Sequence, residues 1–231
     1  MVSFDRHADT YRDEVERSIA FAKVDHAGVT QRKVEHLLAL CASLLGPPRD
    51  QRVLDVGCGV GLTDSLLVDH VGSLHGIDIS SESVAGAASA NPSACYTAFD
   101  GTTFPVPDAS VDLAFAICVL HHVPPAERAP FAAELRRVVR PGGIVAVFEH
   151  NPLNPLTRVA VNRCELDEGV KLAGRSHTAR LLTSAGLEVE RSSYIIFIPS
   201  PRWSARVDRV LGRCPVGAQY YVAARRRASS H

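Results

Sequence analysis

Short apolar runs alternate with amphipathic stretches from residue 53 almost to the end of the chain. A continuous apolar run bounded by turn residues is typical of a buried strand, and apolar residues three and four apart indicate a helix. This pattern predicts strands at 53–56, 73–79, 94–99, 111–120, 144–148, 188–198 and 218–224, with helices at 61–71, 81–90, 125–139 and 177–185. Such an alternation is that of an α/β protein with a doubly wound, largely parallel sheet.

The first 45 residues differ from the rest, because they carry helical spacing and no strand signal. Apolar side chains from Phe4 to Ile19 fall near one helical face, and a second helix is predicted from about Thr30 to Leu45. Gly46 and two prolines then end the helical region. We interpret this region as an N-terminal helical cap.

Charge and cysteine usage exclude several classes of function. The formal net charge is +0, which provides no long-range attraction for nucleic acid or an anionic membrane, and we interpret Arg225–Arg227 as a solvated chain end. The six cysteines form no C-x-x-C pair, so we expect reduced core thiols and predict no metal site. The N-terminus lacks the order of a signal peptide, and no apolar run approaches the roughly 20 residues of a membrane-spanning helix. We therefore expect a cytoplasmic protein.

Three glycines at alternate positions follow the first predicted strand: Gly57, Gly59 and Gly61. Glycines directly after a strand allow a tight turn and a close approach of the backbone to a ligand, which predicts a nucleotide-type cofactor site. The dinucleotide fingerprint G-x-G-x-x-G needs its third glycine one position later, where the chain has Leu62. This spacing weakens the alternative of a nicotinamide dehydrogenase.

Polar residues follow the other strands, at the edge where an open parallel sheet binds ligands. Asp78 ends the second strand, where a carboxylate accepts hydrogen bonds from a ribose diol; the alternative is a helix N-cap or a surface acid. Asp100 would accept a hydrogen bond from an exocyclic amine, and Gly101 would permit the close approach of a ring. The alternative for Asp100 is an aspartate that only stabilises a turn. The fourth and fifth strands are followed by His121, His122, Glu149 and His150.

Together these motifs resemble those of the class I S-adenosylmethionine (SAM)-dependent methyltransferases. The resemblance rests on VLDVGCGVG at 53–61, GIDIS at 76–80, Asp100–Gly101, FPVPDASVDL at 104–113, LHHV at 120–123 and LRRVVRPGG at 135–143. It is greatest for the small-molecule branch that includes ubiquinone- and menaquinone-type enzymes, and it covers about residues 50 to 150.

The resemblance implies a seven-stranded Rossmann-like sheet with an antiparallel last strand, in one domain of residues 1–231. Within it, residues 1–48 would form the cap, 49–149 the SAM-binding core, and 150–231 the substrate-side insertions with the last two strands. The implied cofactor-binding residues are Tyr11, Asp55, Gly57, Gly59, Gly61, Asp78, Ile79, Asp100, Gly101 and Ile117. Of these, Asp78 would hold the ribose, Ile79 would pack on adenine, and Tyr11 would act as a lid residue or simply pack between helices.

Methyl transfer from a sulfonium requires above all the alignment of nucleophile, methyl carbon and sulfur. If the acceptor must lose a proton, His150 and His122 are the predicted bases, because each follows a strand at the ligand edge. The alternative is that these histidines only shape the pocket. Arg158, Arg163 and Arg175 would suit an anionic acceptor or would be ordinary surface arginines, and Trp203 would form an acceptor lid or pack internally.

We therefore predict a SAM-dependent methyltransferase that acts on oxygen, nitrogen or carbon of a small biosynthetic metabolite and releases S-adenosylhomocysteine (SAH). We expect neither a nucleic acid nor a membrane as partner. A SAM-binding regulatory or partner subunit without catalysis is the alternative. The acceptor molecule and the oligomeric state are left open by the sequence.

Overall fold

The computed structural model describes residues 26–164, 167–197 and 204–228, so that Tyr11 and Trp203 lie outside the described residues. Seven strands form one sheet: β1 Arg52–Val56, β2 Ser73–Asp78, β3 Cys95–Ala98, β4 Val111–Ile117, β5 Val139–His150, β6 Leu187–Ile195 and β7 Gln219–Arg226. Their spatial order is β3-β2-β1-β4-β5-β7-β6. The pairs from β3 to β5 are parallel, whereas β7 runs antiparallel to both β5 and β6. The predicted Rossmann-like sheet with an antiparallel last strand is confirmed.

Seven α-helices of the described residues flank this sheet. They are α1 His26–Leu44, α2 Asp64–Leu67, α3 Ser81–Ala90, α4 Arg128–Val138, α5 Pro155–Arg163, α6 Arg175–Ser184 and α7 Ser204–Leu211. Single 3₁₀ turns cover Pro48–Asp50 and Val68–His70. Within the described ranges, no helix is long and apolar enough to cross a membrane.

The boundaries of two predicted elements were wrong, both next to the ligand edge. The helix predicted at 61–71 is only α2 and a 3₁₀ turn, because Gly61 has a φ of +75° and stays in the glycine loop. The strand predicted at 111–120 ends at Ile117, because Cys118 adopts a φ of +58° that turns the chain out of the sheet. By contrast, α3 begins as predicted, since the Ser80 hydroxyl accepts a hydrogen bond from the Ser83 N–H at 3.1 Å.

Two apolar layers hold the helices against the two faces of the sheet. Residues alternate along β1, so that Leu54 and Val56 pack in one layer and Val53 in the other. The second layer includes Val34 and Leu37 of α1, which places the described part of the predicted cap on this face. The central strands β1 and β4 are therefore buried on both faces and read as continuous apolar runs, whereas the edge strands β3 and β6 are partly exposed.

The prediction of a solvated arginine cluster near the C-terminus holds for Arg227, whose side chain is 76% exposed, and is wrong for Arg225 and Arg226. Arg225 donates to the Gly142 carbonyl at 2.7 Å, and Arg226 donates to the Val139 carbonyl at 2.8 Å. These two guanidinium groups therefore join β7 to the beginning of β5.

Candidate functional site

The glycine loop turns over the end of β2. The N–H groups of Gly57 and Cys58 both donate to the Ile77 carbonyl, at 2.8 and 3.1 Å. A Cβ at Gly57 would collide with the Val119 side chain, and one at Gly61 would lie 2.6 Å from the Asn91 side-chain nitrogen. At Gly59, in contrast, a Cβ would meet nothing within 4 Å among the described residues. Two of the glycines are therefore required by internal packing, and the middle one faces open space.

Asp78 lies next to this open space, at the end of β2. Its Oδ2 accepts a hydrogen bond from the Gly59 N–H at 2.8 Å, and its Oδ1 accepts one from the Ser80 N–H at 2.9 Å. Two backbone donors therefore fix the orientation of the carboxylate against the glycine loop. Helix α3 begins three residues later and is capped by Ser80, so the alternative of Asp78 as a helix N-cap is not what the structure shows.

Ile79 and Gly101 form an apolar surface beside Asp78. Ile79 is 47% exposed, which is unusual for a large apolar side chain at the end of a buried strand. A Cβ at Gly101 would lie 3.4 Å from Ile79 Cγ2, so the absence of a side chain there keeps this surface flat. Such an exposed surface suits the face of an aromatic ring.

Asp100 stabilises the turn that follows it. Its Oδ1 accepts hydrogen bonds from the Thr102 N–H, the Thr102 hydroxyl and the Thr103 N–H, at 2.8, 2.7 and 3.2 Å. These hydrogen bonds lower the pKa of the Asp100 carboxyl. The turn role is therefore present in the structure, and contact of Asp100 with an adenine amine stays a prediction.

Asp55 is buried beneath the glycine loop rather than exposed beside it. It is 3% exposed, and burial together with the nearby Asp64 carboxylate raises its pKa well above the usual range. The Tyr96 hydroxyl donates to Asp64 Oδ2 at 2.8 Å, and a hydrogen bond between the Asp55 and Asp64 carboxyls contributes to the raised pKa of Asp55. Two buried carboxyls and a phenol thus support the loop from below, and direct contact of Asp55 with a cofactor stays a prediction.

The chain leaves the sheet abruptly after Ile117 of β4. The Cys118 N–H donates to the Phe148 carbonyl of β5 at 2.9 Å, although Cys118 has a left-handed backbone. A non-glycine residue in that region costs of the order of 1 kcal/mol and persists when its surroundings hold it there. The turn brings the two histidines that follow β4 alongside the end of β5.

A buried ion pair joins the ends of β4 and β5. His121 Nδ1 lies 2.7 Å from Glu149 Oε2, and both side chains are 1% exposed. Burial would lower the pKa of His121, but the charge of Glu149 and hydrogen bonds with Asp167 and Glu149 raise it well above the usual value. Burial would likewise raise the pKa of Glu149, but the charge of His121 and their hydrogen bond lower it.

Two further histidines and one aspartate surround His121. Asp167 Oδ1 lies 3.3 Å from both His121 Nε2 and His122 Nε2, and the ring centroids of His121 and His150 are 5.2 Å apart. Burial and then the charge of His121 lower the pKa of His122 and of His150 to about 4. Both predicted bases therefore carry a neutral imidazole near pH 7 and can accept a proton or a hydrogen bond.

Three comparisons with known proteins agree with this geometry. Residues 54–147 match the family described as a methyltransferase domain. The chain is 35% identical over 127 residues to 2-methyl-6-phytyl-1,4-hydroquinone methyltransferase of Synechocystis, and the match covers 52% of this chain but only 39% of that relative. It is 27% identical over 212 residues to 27-O-demethylrifamycin SV methyltransferase of Amycolatopsis mediterranei, covering 87% of this chain and 77% of that relative.

The fold also matches a solved structure. A SAM-dependent methyltransferase from Mesorhizobium loti superposes with a TM-score of 0.62 at 21% identity, over 81% of this chain and 96% of that one. The matched residues include the glycine loop and the ends of β1 to β4, whereas Glu149 and His150 at the end of β5 lie just beyond them. Residues 54–147 therefore carry the match to a methyltransferase domain that the sequence resemblance predicted, and the fold is that of the solved methyltransferase.

The residues at the ends of β1 and β2 fit the cofactor of the SAM-dependent methyltransferases. The loop has open space above Gly59, a carboxylate oriented by two backbone donors at Asp78, and an exposed apolar surface at Ile79. The open space suits the methionine part of the cofactor, the oriented carboxylate suits the ribose diol, and the apolar surface suits the purine ring. The structure therefore brings together the predicted residues Gly59, Asp78, Ile79 and Gly101.

Several polar residues near these strand ends were not predicted from the sequence. Lys33 of α1 is buried. Its positive charge favours the ionised forms of Asp55 and Cys118 and disfavours protonation of His150. Lys33 therefore lies near the ends of β1, β4 and β5. Asp167 lies in the irregular segment after α5, and Gln219 faces His150 through the β5–β7 pairing. Only the irregularity of residues 150–176 signalled this region, since cross-strand and loop contacts of this kind have no sequence spacing.

Arg175, one of the arginines considered for an anionic acceptor, is engaged within the fold. Its guanidinium carbon lies 4.5 Å above the centroid of the Tyr194 ring, and its Nη1 donates to the Ser192 hydroxyl at 3.3 Å. A cation–π contact of this kind stabilises the packing of α6 on β6. The structure thus gives Arg175 a packing role.

Proposed function

We propose that this protein transfers a methyl group from SAM to oxygen, nitrogen or carbon of a small-molecule acceptor. The observation that carries the proposal is the orientation of the Asp78 carboxylate beside the open space of Gly59, inside the stretch that matches the methyltransferase domain. The names of the relatives support it, because they describe methyltransferases of a phytyl hydroquinone and of a rifamycin.

SAM supplies an electrophilic methyl carbon on a sulfonium, so that the carbon–sulfur bond breaks as the bond to the acceptor forms and SAH is left. The chain's own residues bind and orient. Asp78 would accept hydrogen bonds from the ribose diol, and Ile79 with Gly101 would pack against the purine. The buried ammonium of Lys33 would offer a positive charge to the methionine carboxylate near the ends of β1 and β4.

The acceptor side is assigned to the ends of β4 and β5. His122 and His150 lie there, each with a neutral imidazole, and either would accept a proton from an acceptor hydroxyl or amine. The His121–Glu149 pair beneath them is buried and rigid, so it would position the other two rings rather than contact the acceptor. A carbon nucleophile that needs no proton removal would require only alignment and exclusion of water.

Binding of SAH by the full chain, measured by isothermal titration calorimetry, tests the cofactor site. We expect Asp78→Ala to weaken SAH binding by roughly 10- to 150-fold, which corresponds to the loss of a charge-assisted hydrogen bond of about 1.5 to 3 kcal/mol. Asp78→Asn keeps an acceptor for the Gly59 N–H and should preserve the fold while still weakening binding.

Asp69→Ala is the matched control, because Asp69 is an exposed aspartate on the turn before β2. It should bind SAH as the wild type does. Equal affinity of the wild type and both Asp78 variants would refute the site assignment. Incubation of candidate acceptors with SAM, followed by mass spectrometry, then tests transfer: a gain of one methyl group supports the enzyme, and tight SAH binding without transfer to any acceptor favours a non-catalytic SAM-binding subunit.

A further inference from the structure

Two histidines and one aspartate at the acceptor side lie at the spacing of metal ligands. One ligand atom each from His121, His150 and Asp167 lies within 4.8 Å of the others. The closest measured pair, His121 Nε2 and Asp167 Oδ1, is 3.3 Å apart. These residues come from the end of β4, the end of β5 and the turn after α5, so the fold assembles the group from three separate segments.

The 3.3 Å separation agrees with two atoms that share one ion. Metal–nitrogen and metal–oxygen bonds in protein zinc sites are about 2.0 to 2.2 Å, so neighbouring ligand atoms at tetrahedral angles lie about 3.3 to 3.5 Å apart. The separation of 4.8 Å that bounds the whole group exceeds this by about 1.3 to 1.5 Å, so binding of an ion would draw the three side chains closer together.

The carboxylate behind His121 is the second feature of a metal site. Glu149 Oε2 lies 2.7 Å from Nδ1 of His121, and Glu149 is fully buried in β5. A metal-bound histidine usually donates its other ring N–H to a carboxylate, which fixes the tautomer and directs the remaining nitrogen at the ion. Here that arrangement would leave Nε2 of His121 facing Asp167 as the ligand atom.

The Gln219 amide provides an independent observation at His150. The Gln219 side-chain amide lies 3.4 Å from Nδ1 of His150. The Gln219 Oε1 atom is buried and has no hydrogen-bond partner in the described part of the chain. A half-turn of the amide plane would direct Oε1 at Nδ1, where it would accept the ring proton and leave Nε2 of His150 for an ion.

We propose that His121, His150 and Asp167 bind a divalent transition-metal ion, with Glu149 and Gln219 positioning the two histidines. Two imidazoles and one carboxylate suit Zn²⁺, Co²⁺, Ni²⁺ or Fe²⁺, whereas Mg²⁺ and Ca²⁺ prefer sites made of oxygen ligands. Cysteine spacing predicts no metal site, and the three ligands proposed here come from distant segments that no local spacing brings together.

If the protein transfers a methyl group as proposed above, the metal ion would also bind the acceptor. Three protein ligands leave coordination positions for water or for an oxygen atom of the acceptor. An acceptor with a hydroxyl or carboxylate would therefore be held at the ends of β4 and β5. His150 would then be a ligand, and the role of base would fall to His122.

Titration of the metal-free full chain with Co²⁺, followed by visible absorption, tests the metal site without any methyl transfer. We expect d–d bands that saturate at one Co²⁺ per chain. The Asp167→Asn variant should bind Co²⁺ at least tenfold more weakly. Glu149→Gln should bind it roughly 10- to 100-fold more weakly, because it removes the carboxylate that accepts from Nδ1 of His121. His177→Ala, which removes an exposed histidine of α6, is the control and should leave the titration unchanged.

The absence of saturable Co²⁺ bands, or bands that survive Asp167→Asn and disappear in His177→Ala, would overturn the proposal. An intense near-ultraviolet thiolate-to-metal band would also overturn it, since the ion would then be bound by cysteine. SAH titration of the same metal-free protein separates the two proposals. Intact SAH binding with no Co²⁺ site would refute the metal alone, and loss of SAH binding with an intact Co²⁺ site would refute the cofactor assignment alone.

Discussion

At the scale of single residues, the glycine loop separates positions needed for packing from a position that faces the cofactor side. Gly61 has a φ of +75° and Gly59 a φ of +52°, so alanine is strained at both. Only at Gly61 would the added Cβ also press on a neighbour, the Asn91 amide at 2.6 Å. The two glycines should therefore respond differently to the same substitution.

We predict that Gly59→Ala lowers the free energy of unfolding by only about 1 to 2 kcal/mol, because the strain is confined to the backbone. It should nevertheless weaken SAH binding by more than tenfold, since its Cβ points into the open space of the site. Gly61→Ala should lower the unfolding free energy by more than Gly59→Ala, through strain plus overpacking of about 1 to 3 kcal/mol. Urea unfolding and calorimetric titration measure both effects, and wild-type SAH affinity in Gly59→Ala would contradict the assignment of this face.

At the scale of elements, one aspartate joins three strands at the edge of the sheet opposite the site. Asp112, which is buried in β4, accepts from the Arg52 N–H at 2.8 Å and from Arg52 Nε at 3.0 Å. Arg140 of β5 donates to its other oxygen. Burial would raise the pKa of Asp112, but these hydrogen bonds and the charge of Arg52 lower it to about 2.

We predict that Asp112→Asn lowers the free energy of unfolding by about 1 to 2 kcal/mol at pH 7, because both arginines are partly exposed and water screens them. Since the folded pKa lies below the unfolded value, the contribution is complete above the unfolded pKa of about 3.9 and is lost as the pH falls towards 2. The difference between variant and wild type in urea unfolding should therefore shrink from pH 5 downwards.

Asp108→Asn is the control at this scale, because Asp108 pairs with Arg137 while its own side chain is 77% exposed. This substitution should change the unfolding free energy by less than about 0.5 kcal/mol. SAH binding should be unaffected in both variants, since Asp112 lies at the far edge of the sheet. A difference for Asp112→Asn that does not change with pH would contradict the electrostatic origin.

At the scale of the whole molecule, a buried ion pair holds the described part of the cap to the C-terminal region. Arg32 Nη2 and His36 Nε2 of α1 lie 2.8 and 3.1 Å from Oδ2 of Asp208 in α7, and Asp208 is fully buried. Its other oxygen accepts from the Phe197 N–H at 3.2 Å. Segments more than 170 residues apart in the chain are thus joined through one carboxylate.

We predict that Asp208→Asn lowers the free energy of unfolding by about 3 to 5 kcal/mol, because it removes a fully buried carboxylate charge that lies 2.8 Å from the Arg32 guanidinium. Urea unfolding measures the loss, and Asp69→Asn, at an exposed aspartate, should unfold as the wild type does. A wild-type midpoint for Asp208→Asn would show that this pair does not hold the cap.

The sequence alone determined the strand and helix alternation and the Rossmann-like sheet, and it predicted Gly59, Asp78, Ile79 and Gly101, which the structure brings together. These signals are local, because they depend on neighbours within a few positions: apolar runs, glycine spacing and the residue after each strand. The rules of chain topology then bring the strand ends to one edge of the sheet. Even here local signals overestimated the first helix and β4, because a left-handed backbone at Gly61 and Cys118 is set by the surrounding loop.

Only the tertiary structure decided which side chains surround the histidines. Asp167 reaches His121 from a turn 46 residues later in the chain, and Gln219 faces His150 across an antiparallel pair 69 residues away. Burial and neighbouring charges then give three nearby imidazoles different properties, since the Glu149 carboxylate raises the pKa of His121 while burial and the charge of His121 lower the pKa of His122 and of His150. Contacts and desolvation of this kind depend on the packing of distant segments, and a linear sequence carries no spacing that records them.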